Sequence, residues 1–213
     1  MKSPLSAAVL LSALTLAGCA RTGEIDATGG ISAVRSACPT VGVAAGTGDI
    51  TLFDPPASRD QSAIDVSAVM TNVRSTCNDA GEQIATTVTF DVLASRARAE
   101  GAREVTLPYY IAVVRGGNAV TAKRIGQVTV RFEPGQARAT AQGTATSYVA
   151  RSAATLPDEV RRQLTRRRKA GDEDAAVDPL TQPEVRQAVL AATFEALVGF
   201  QLTDEQLRYN ATR

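Results

Sequence analysis

The chain has 213 residues, with 23 Lys and Arg against 22 Asp and Glu, and neither His nor Trp. A charge this close to zero gives no support for nucleic-acid binding. The missing histidine excludes a Ser-His-Asp triad, a Cys-His pair and imidazole metal ligands, so only carboxylate, Lys, Tyr or Ser chemistry stays open.

Met1 and Lys2 form a positive start, and Ala7 to Ala17 is an apolar stretch of eleven residues. That is the length of a signal-peptide core and short of a membrane span. Ser3, Pro4, Ser6, Ser12 and Thr15 dilute the uncharged run further. Small residues, Ala17 and Gly18, precede Cys19 in Leu16-Ala17-Gly18-Cys19. This motif resembles the lipobox of bacterial lipoproteins. The resemblance implies that residues 1–18 are removed, that Cys19 carries lipid such as palmitate, and that the domain hangs from a membrane. Ala20, where an Asp favours retention in the inner membrane, implies the outer membrane, with the domain facing the periplasm. Residues 19–37 then read as a flexible tether rich in Thr, Gly and charge.

With Cys19 lipidated, Cys38 and Cys77 are left as an even pair in an oxidising compartment, where a disulfide is expected. Two separate buried thiols are the alternative. A redox-active pair is less favoured, because the spacing is not Cys-x-x-Cys.

From Cys38 the pattern is mostly period two. Ile50 and Leu52 predict a short strand. Ile64, Val66, Ala68 and Met70 predict another, running to Cys77, with a turn at Asn78-Asp79-Ala80-Gly81. Ile84, Thr86, Val88, Phe90 and Val92 share one face of the next strand. Val105, Leu107, Tyr109, Ile111 and Val113 follow, with Pro108 among them, which points to an edge or a bulge. Gly116-Gly117 fits a two-residue hairpin turn. Val128, Val130 and Phe132 form the next apolar face, and Pro134-Gly135 matches the centre of a type II turn. Ala137 to Val149 reads as a weak strand of Ala and Thr.

The last third mixes elements. Pro157, Asp158 and Glu159 read as a helix start with a thin apolar stripe of Leu156, Val160 and Leu164. Thr181-Gln182-Pro183-Glu184 has capping-box spacing before Val185, Val189 and Ala192. Phe194, Ala196, Val198, Phe200 and Leu202 return to period two as a final buried strand; a helix running through Gly199 is the alternative, since 188–198 is apolar nearly throughout. Thr203-Asp204-Glu205-Gln206 is a second capping box, opening a short terminal helix with Leu207. The total is about seven strands, predicting a mainly β domain over 38–213: an antiparallel, immunoglobulin-like β-sandwich with short helices in its C-terminal third. A charged insertion is expected near 157–182.

Phe194 to Asn210, containing LVGFQLTDEQLRYN, resembles the end of a group of uncharacterised alphaproteobacterial envelope lipoproteins. Leu107-Pro108-Tyr109-Tyr110 and the two cysteines fit the same group. The resemblance implies location and fold, and carries no activity.

Arg161, Arg162, Arg166, Arg167 and Arg168 form a candidate anionic-surface contact, worth about 1 kcal/mol per cation at an anionic membrane. The alternative is a solvated segment neutralised by Asp172, Glu173, Asp174 and Asp178. Asp172-Glu173-Asp174 lacks the Gly and distal Glu of an EF-hand, so no metal is expected. Gly46-Thr47-Gly48 lacks the Gly-Lys-Ser/Thr of a phosphate loop. One of Tyr109 and Tyr110 is expected in the core and the other at the surface. No cofactor is expected. The functional expectation is a non-enzymatic binding or structural module that meets another envelope protein. The alternative is a lipid or glycan carrier whose cavity the small residues of 137–149 would line.

Overall fold

A computed structural model describes residues 36–166, 171 and 177–212 of the chain. Cys19 and the predicted leader lie outside them, as does most of the tether. One compact unit comprises Ser36–Leu164 and Val177–Arg213. The other comprises Met1–Arg35 and Thr165–Ala176, of which only Thr165, Arg166 and Gly171 are described.

The larger unit is the expected β-sandwich, with eight strands instead of about seven. In chain order these are β1 (Thr40–Val43), β2 (Asp49–Phe53), β3 (Ile64–Asn78), β4 (Gln83–Arg96), β5 (Arg103–Arg115), β6 (Ala119–Phe132), β7 (Arg138–Ala150) and β8 (Phe194–Phe200). Helices α1 (Arg151–Ala154), α2 (Asp158–Thr165), α3 (Pro183–Ala191) and α4 (Asp204–Thr212) all follow β7. One sheet has the order β1-β8-β5-β6 and the other β2-β3-β4-β7. All pairings are antiparallel except β1 with β8, which runs parallel.

Alternation decides which faces meet. Ile84, Thr86, Val88, Phe90, Val92 and Ala94 of β4 are all buried, while the residues between them are exposed or half-exposed. Val88, Phe90, Val92 and Ala94 join Val105, Leu107, Tyr109 and Ile111 of β5 and Ala196, Val198 and Phe200 of β8 in one core. Glycines of β6 and β7 make room for aromatic rings. A Cβ on Gly143 would lie 2.2 Å from Cζ of Phe90, and one on Gly126 would lie 2.5 Å from Cζ of Tyr109. The two rings meet edge-on at 5.0 Å, and the Tyr109 hydroxyl donates to the Thr144 carbonyl at 2.6 Å. Burial raises the Tyr109 phenol above its usual pKa.

A second, smaller cluster holds Ile84, Val113, Val149, Ala154 and Phe194, with Ala37 and Cys38 against it. Cys38 and Cys77 form a disulfide there. It ties the approach to β1 in one sheet to the end of β3 in the other, so it bridges the two sheets.

Turns largely follow the sequence. Gly116 and Gly117 both have positive φ, but the loop is one residue longer than expected, because Arg115 pairs with Ala119. Gly135 has φ 78°, and Gln136 N–H donates to the Glu133 carbonyl at 3.0 Å, closing the turn built on Pro134-Gly135. The Asn78 side chain accepts from Ala80 N–H at 3.0 Å.

Two expectations change. Pro108 sits in an interior strand whose pairing with β6 is regular at that point. Its carbonyl accepts from Gln201 N–H at 2.9 Å, so the ring nitrogen also faces the β8 side, one residue past the last ladder pair, Tyr109 with Phe200. No ladder bond is lost there. The cap of α3 is Gln182 with Pro183 at the first helical position, not Thr181, which belongs to a 3-10 turn at Pro179–Thr181 capped by Asp178. By contrast, Thr203 and Gln206 exchange both bonds of a capping box at the start of α4, at 2.9 and 3.2 Å.

Candidate functional site

Of the candidate anionic-surface contact, Arg161, Arg162 and Arg166 are described, and Arg167 and Arg168 lie outside the described residues. α2 buries none of its residues. Arg161 bonds Asp158 at 2.7 Å and Arg162 bonds Glu159 at 2.5 Å, each one helical turn back. The Arg162 and Gln163 side chains hold the Glu159 carboxyl below its usual pKa. These arginines therefore enter any surface contact already paired, and the pairing comes from the first turn of their own helix. The expected acidic partners Asp172, Glu173 and Asp174 lie outside the described residues. Asp178 instead accepts from Leu180 N–H at 2.9 Å.

Gly46-Thr47-Gly48 is a docking loop. Thr47 sits over Gly199, where any Cβ would lie 2.0 Å from its Oγ1, and its carbonyl accepts from Phe200 N–H at 2.7 Å. Thr47 Oγ1 lies 3.2 Å from the Tyr110 hydroxyl. Tyr109 is therefore the core tyrosine, and Tyr110 is half-buried on the outer face, beneath Lys123 at 4.6 Å.

Three polar features escape the sequence reading. Arg96 is 6% exposed, and its guanidinium donates to the carbonyls of Ala99, Gly101, Glu133 and Gln136 at 2.9–3.0 Å while lying over the Phe132 ring. Its even position in β4 puts it in phase with the buried face, which is the signal that marks it. Asp65 is buried and takes both Arg103 Nη atoms, at 2.8 and 2.6 Å. Arg98 bridges Asp54 and Asp65. The third feature is the first half of β6. Residues from Ala119 to Ile125 are exposed on both strand faces, and Lys123 and Arg124 stand at its centre.

Two shallow depressions mark the described surface. One, of about 420 Å³, lies between Arg59 and α4, where Arg59 already bonds Glu205 at 2.6 Å. The other, of about 590 Å³, lies over Ser67, Val69, Leu93 and Ser95 on the outer face of the β2-β3-β4-β7 sheet. Among the described residues no three His, Cys, Asp or Glu side chains group as metal ligands, and no helix is long and apolar enough to cross a membrane. Asp65, Arg103, Tyr109 and Glu159 are the described groups with shifted pKa values. Burial alone accounts for Tyr109, and structural ion pairs and hydrogen bonds account for the other three.

No family model, curated protein or solved structure matches the chain.

Proposed function

We propose that this chain is a lipid-anchored envelope lipoprotein, held to the outer membrane through Cys19 and facing the periplasm, whose β-sandwich acts as a non-enzymatic binding or structural module. The observation that carries the proposal is the division of the three cysteines. Cys38 and Cys77 bond to each other, and Cys19 is left over at the end of Leu16-Ala17-Gly18-Cys19. Structural disulfides persist in oxidising compartments, which agrees with an exported domain. Lipid on Cys19 would hold it there, since each buried methylene contributes about 0.8 kcal/mol and two or more chains anchor stably.

Binding is favoured over carriage because the small residues of β7 do not leave apolar space. The Phe90 ring fills the room beside Gly143, and the Tyr109 hydroxyl closes on the Thr144 carbonyl. It is favoured over catalysis because the strongest polar clusters, around Arg96 and Asp65, are spent on carbonyls and ion pairs that join loops.

Labelling cells with radioactive palmitate and fractionating their membranes tests the proposal. The wild-type chain takes up label and sediments with the outer membrane, and Cys19→Ser accumulates as an unlabelled precursor. A Cys19→Ser protein that matures to the wild-type mass and stays on membranes defeats the proposal.

A further inference from the structure

β6 ends its sheet: β5 pairs with one side of it, and among the described residues no strand pairs with the other. A free strand edge offers unpaired backbone N–H and C=O groups. This edge is also unusually open. Val120 and Ile125 are each 64% exposed, and the bulge at Thr121 sets both on the face they share with Val114 and Tyr110 of β5. Between them stand Lys123 and Arg124. Lys123 Nζ lies 4.6 Å from the centre of the Tyr110 ring and the Arg124 guanidinium 5.2 Å from that of Tyr148. The rings hold the two cations on opposite faces of the strand. Neither cation has a carboxylate partner among the described residues, whereas Arg131, further along the strand, meets Glu104 at 3.3 Å.

The surroundings share the sign. Between Glu104 and Asp158 the chain carries Arg115, Lys123, Arg124, Arg131, Arg138 and Arg151 against the single acid Glu133. β7, the adjacent edge of the other sheet, contributes no carboxylate. A second copy of this chain is the wrong guest. Antiparallel self-pairing centred on Lys123 and Arg124 sets cation against cation, and like charges directly opposite destabilise a strand pair. A bulge that leaves Thr121 unpaired closes the open run at one end.

We propose that β6 residues Ala122–Gln127 are a strand-addition site for an extended acidic segment of another protein. The proposal rests on the binding-module reading and names the surface and the chemistry of the partner. Successive side chains of a strand face opposite sides. Two adjacent acidic residues in the guest therefore meet Lys123 on one face and Arg124 on the other, and β-branched neighbours cover Ile125. Main-chain hydrogen bonds supply affinity and the charge pair supplies register. Only a polypeptide satisfies both the edge and the cations, which separates this guest from an anionic lipid.

The probe is a capped peptide, Thr-Val-Asp-Glu-Val-Thr, titrated against the full chain beside the matching Thr-Val-Lys-Lys-Val-Thr peptide and phosphatidylglycerol vesicles. Amide hydrogen exchange is followed by NMR. The acidic peptide binds, and it slows exchange in Ala122–Gln127. Lys123→Glu with Arg124→Glu weakens that binding about tenfold or more and admits the Lys-Lys peptide instead. The reversed preference also shows that the variant is folded. The proposal is overturned if neither peptide protects β6, if both do so equally, or if vesicles bind the wild type and the acidic peptide does not. These results do not depend on Cys19, so loss of the β6 site and loss of the lipid anchor register separately.

Discussion

Asp65 shows how one side chain sets a pH limit. Its carboxylate is 7% exposed and receives the Arg103 guanidinium at 2.8 and 2.6 Å, with Arg98 at 3.5 Å. The Arg103 hydrogen bonds hold the Asp65 pKa below its ordinary 3.8, against the opposing effect of burial. The same pair raises Arg103. A carboxyl whose folded pKa is depressed takes up its proton more readily when the chain is unfolded. Its stabilising contribution is therefore complete above the unfolded value, near 3.8, and fades as pH falls through the folded one. Asp65→Asn removes that acid limb and leaves Arg103 short of its partner. The loss at neutral pH is about 1–2 kcal/mol, below the range for a fully buried pair, because the Arg103 side chain is 39% exposed. Urea unfolding from pH 7 down to pH 3 measures both effects. An acid limb unchanged in Asp65→Asn assigns it to other carboxylates.

At the level of elements, the terminal helix shows the link from local code to packing. Thr203 and Gln206 cap α4 reciprocally. α4 in turn sets Tyr209 edge-on against Phe53 of β2 at 5.1 Å, and Asn210 donates to the Gly46 and Asp49 carbonyls at 2.9 Å. Thr203→Ala removes one cap bond and costs about 1 kcal/mol. Amide exchange in β2 should quicken while exchange in β4 stays unchanged; equal acceleration in both strands means that α4 does not act locally. This cap was legible because its four residues are contiguous. β4 was legible because one of its faces is dry and the other wet, which is what alternation records. The first half of β6 was not, since water on both faces leaves no alternation to read. β1 has only four residues, half-exposed or exposed, and it pairs with β8 more than 150 residues away. The arginine cluster that begins on α2 stood out by composition, yet Asp158 and Glu159, three residues before Arg161 and Arg162, already implied pairing. Lys123 and Arg124 carried no such flag, because their importance comes from strand order, and strand order is a property of the assembled sheets.

The described β-sandwich holds two hydrophobic clusters of unequal strength along the same long strands. The larger draws on seven of the eight strands, β2 through β8. The smaller has five buried members and is closed on one side by Cys38. Local stability follows buried apolar contact, so the smaller end is the weaker one. The Cys38–Cys77 bond, with a separation of 39 residues, reinforces that end by joining the two sheets across it. In the chain-entropy account a loop of this length contributes about 4 kcal/mol. Replacing both cysteines, Cys38→Ser with Cys77→Ser, therefore lowers global stability by about 2–4 kcal/mol. The loss should also be visible in place. Amide exchange at Ile84, Val113, Val149 and Phe194 should accelerate under native conditions, while Phe90, Val92, Leu107 and Val130 in the larger cluster exchange only by global unfolding. Urea titration gives the first quantity and native-state exchange the second. Uniform acceleration across both clusters means that they unfold as one unit and that the disulfide acts on the unfolded chain alone. Selective acceleration shows instead that the bond holds the two sheets together at the end where their packed core is thinnest.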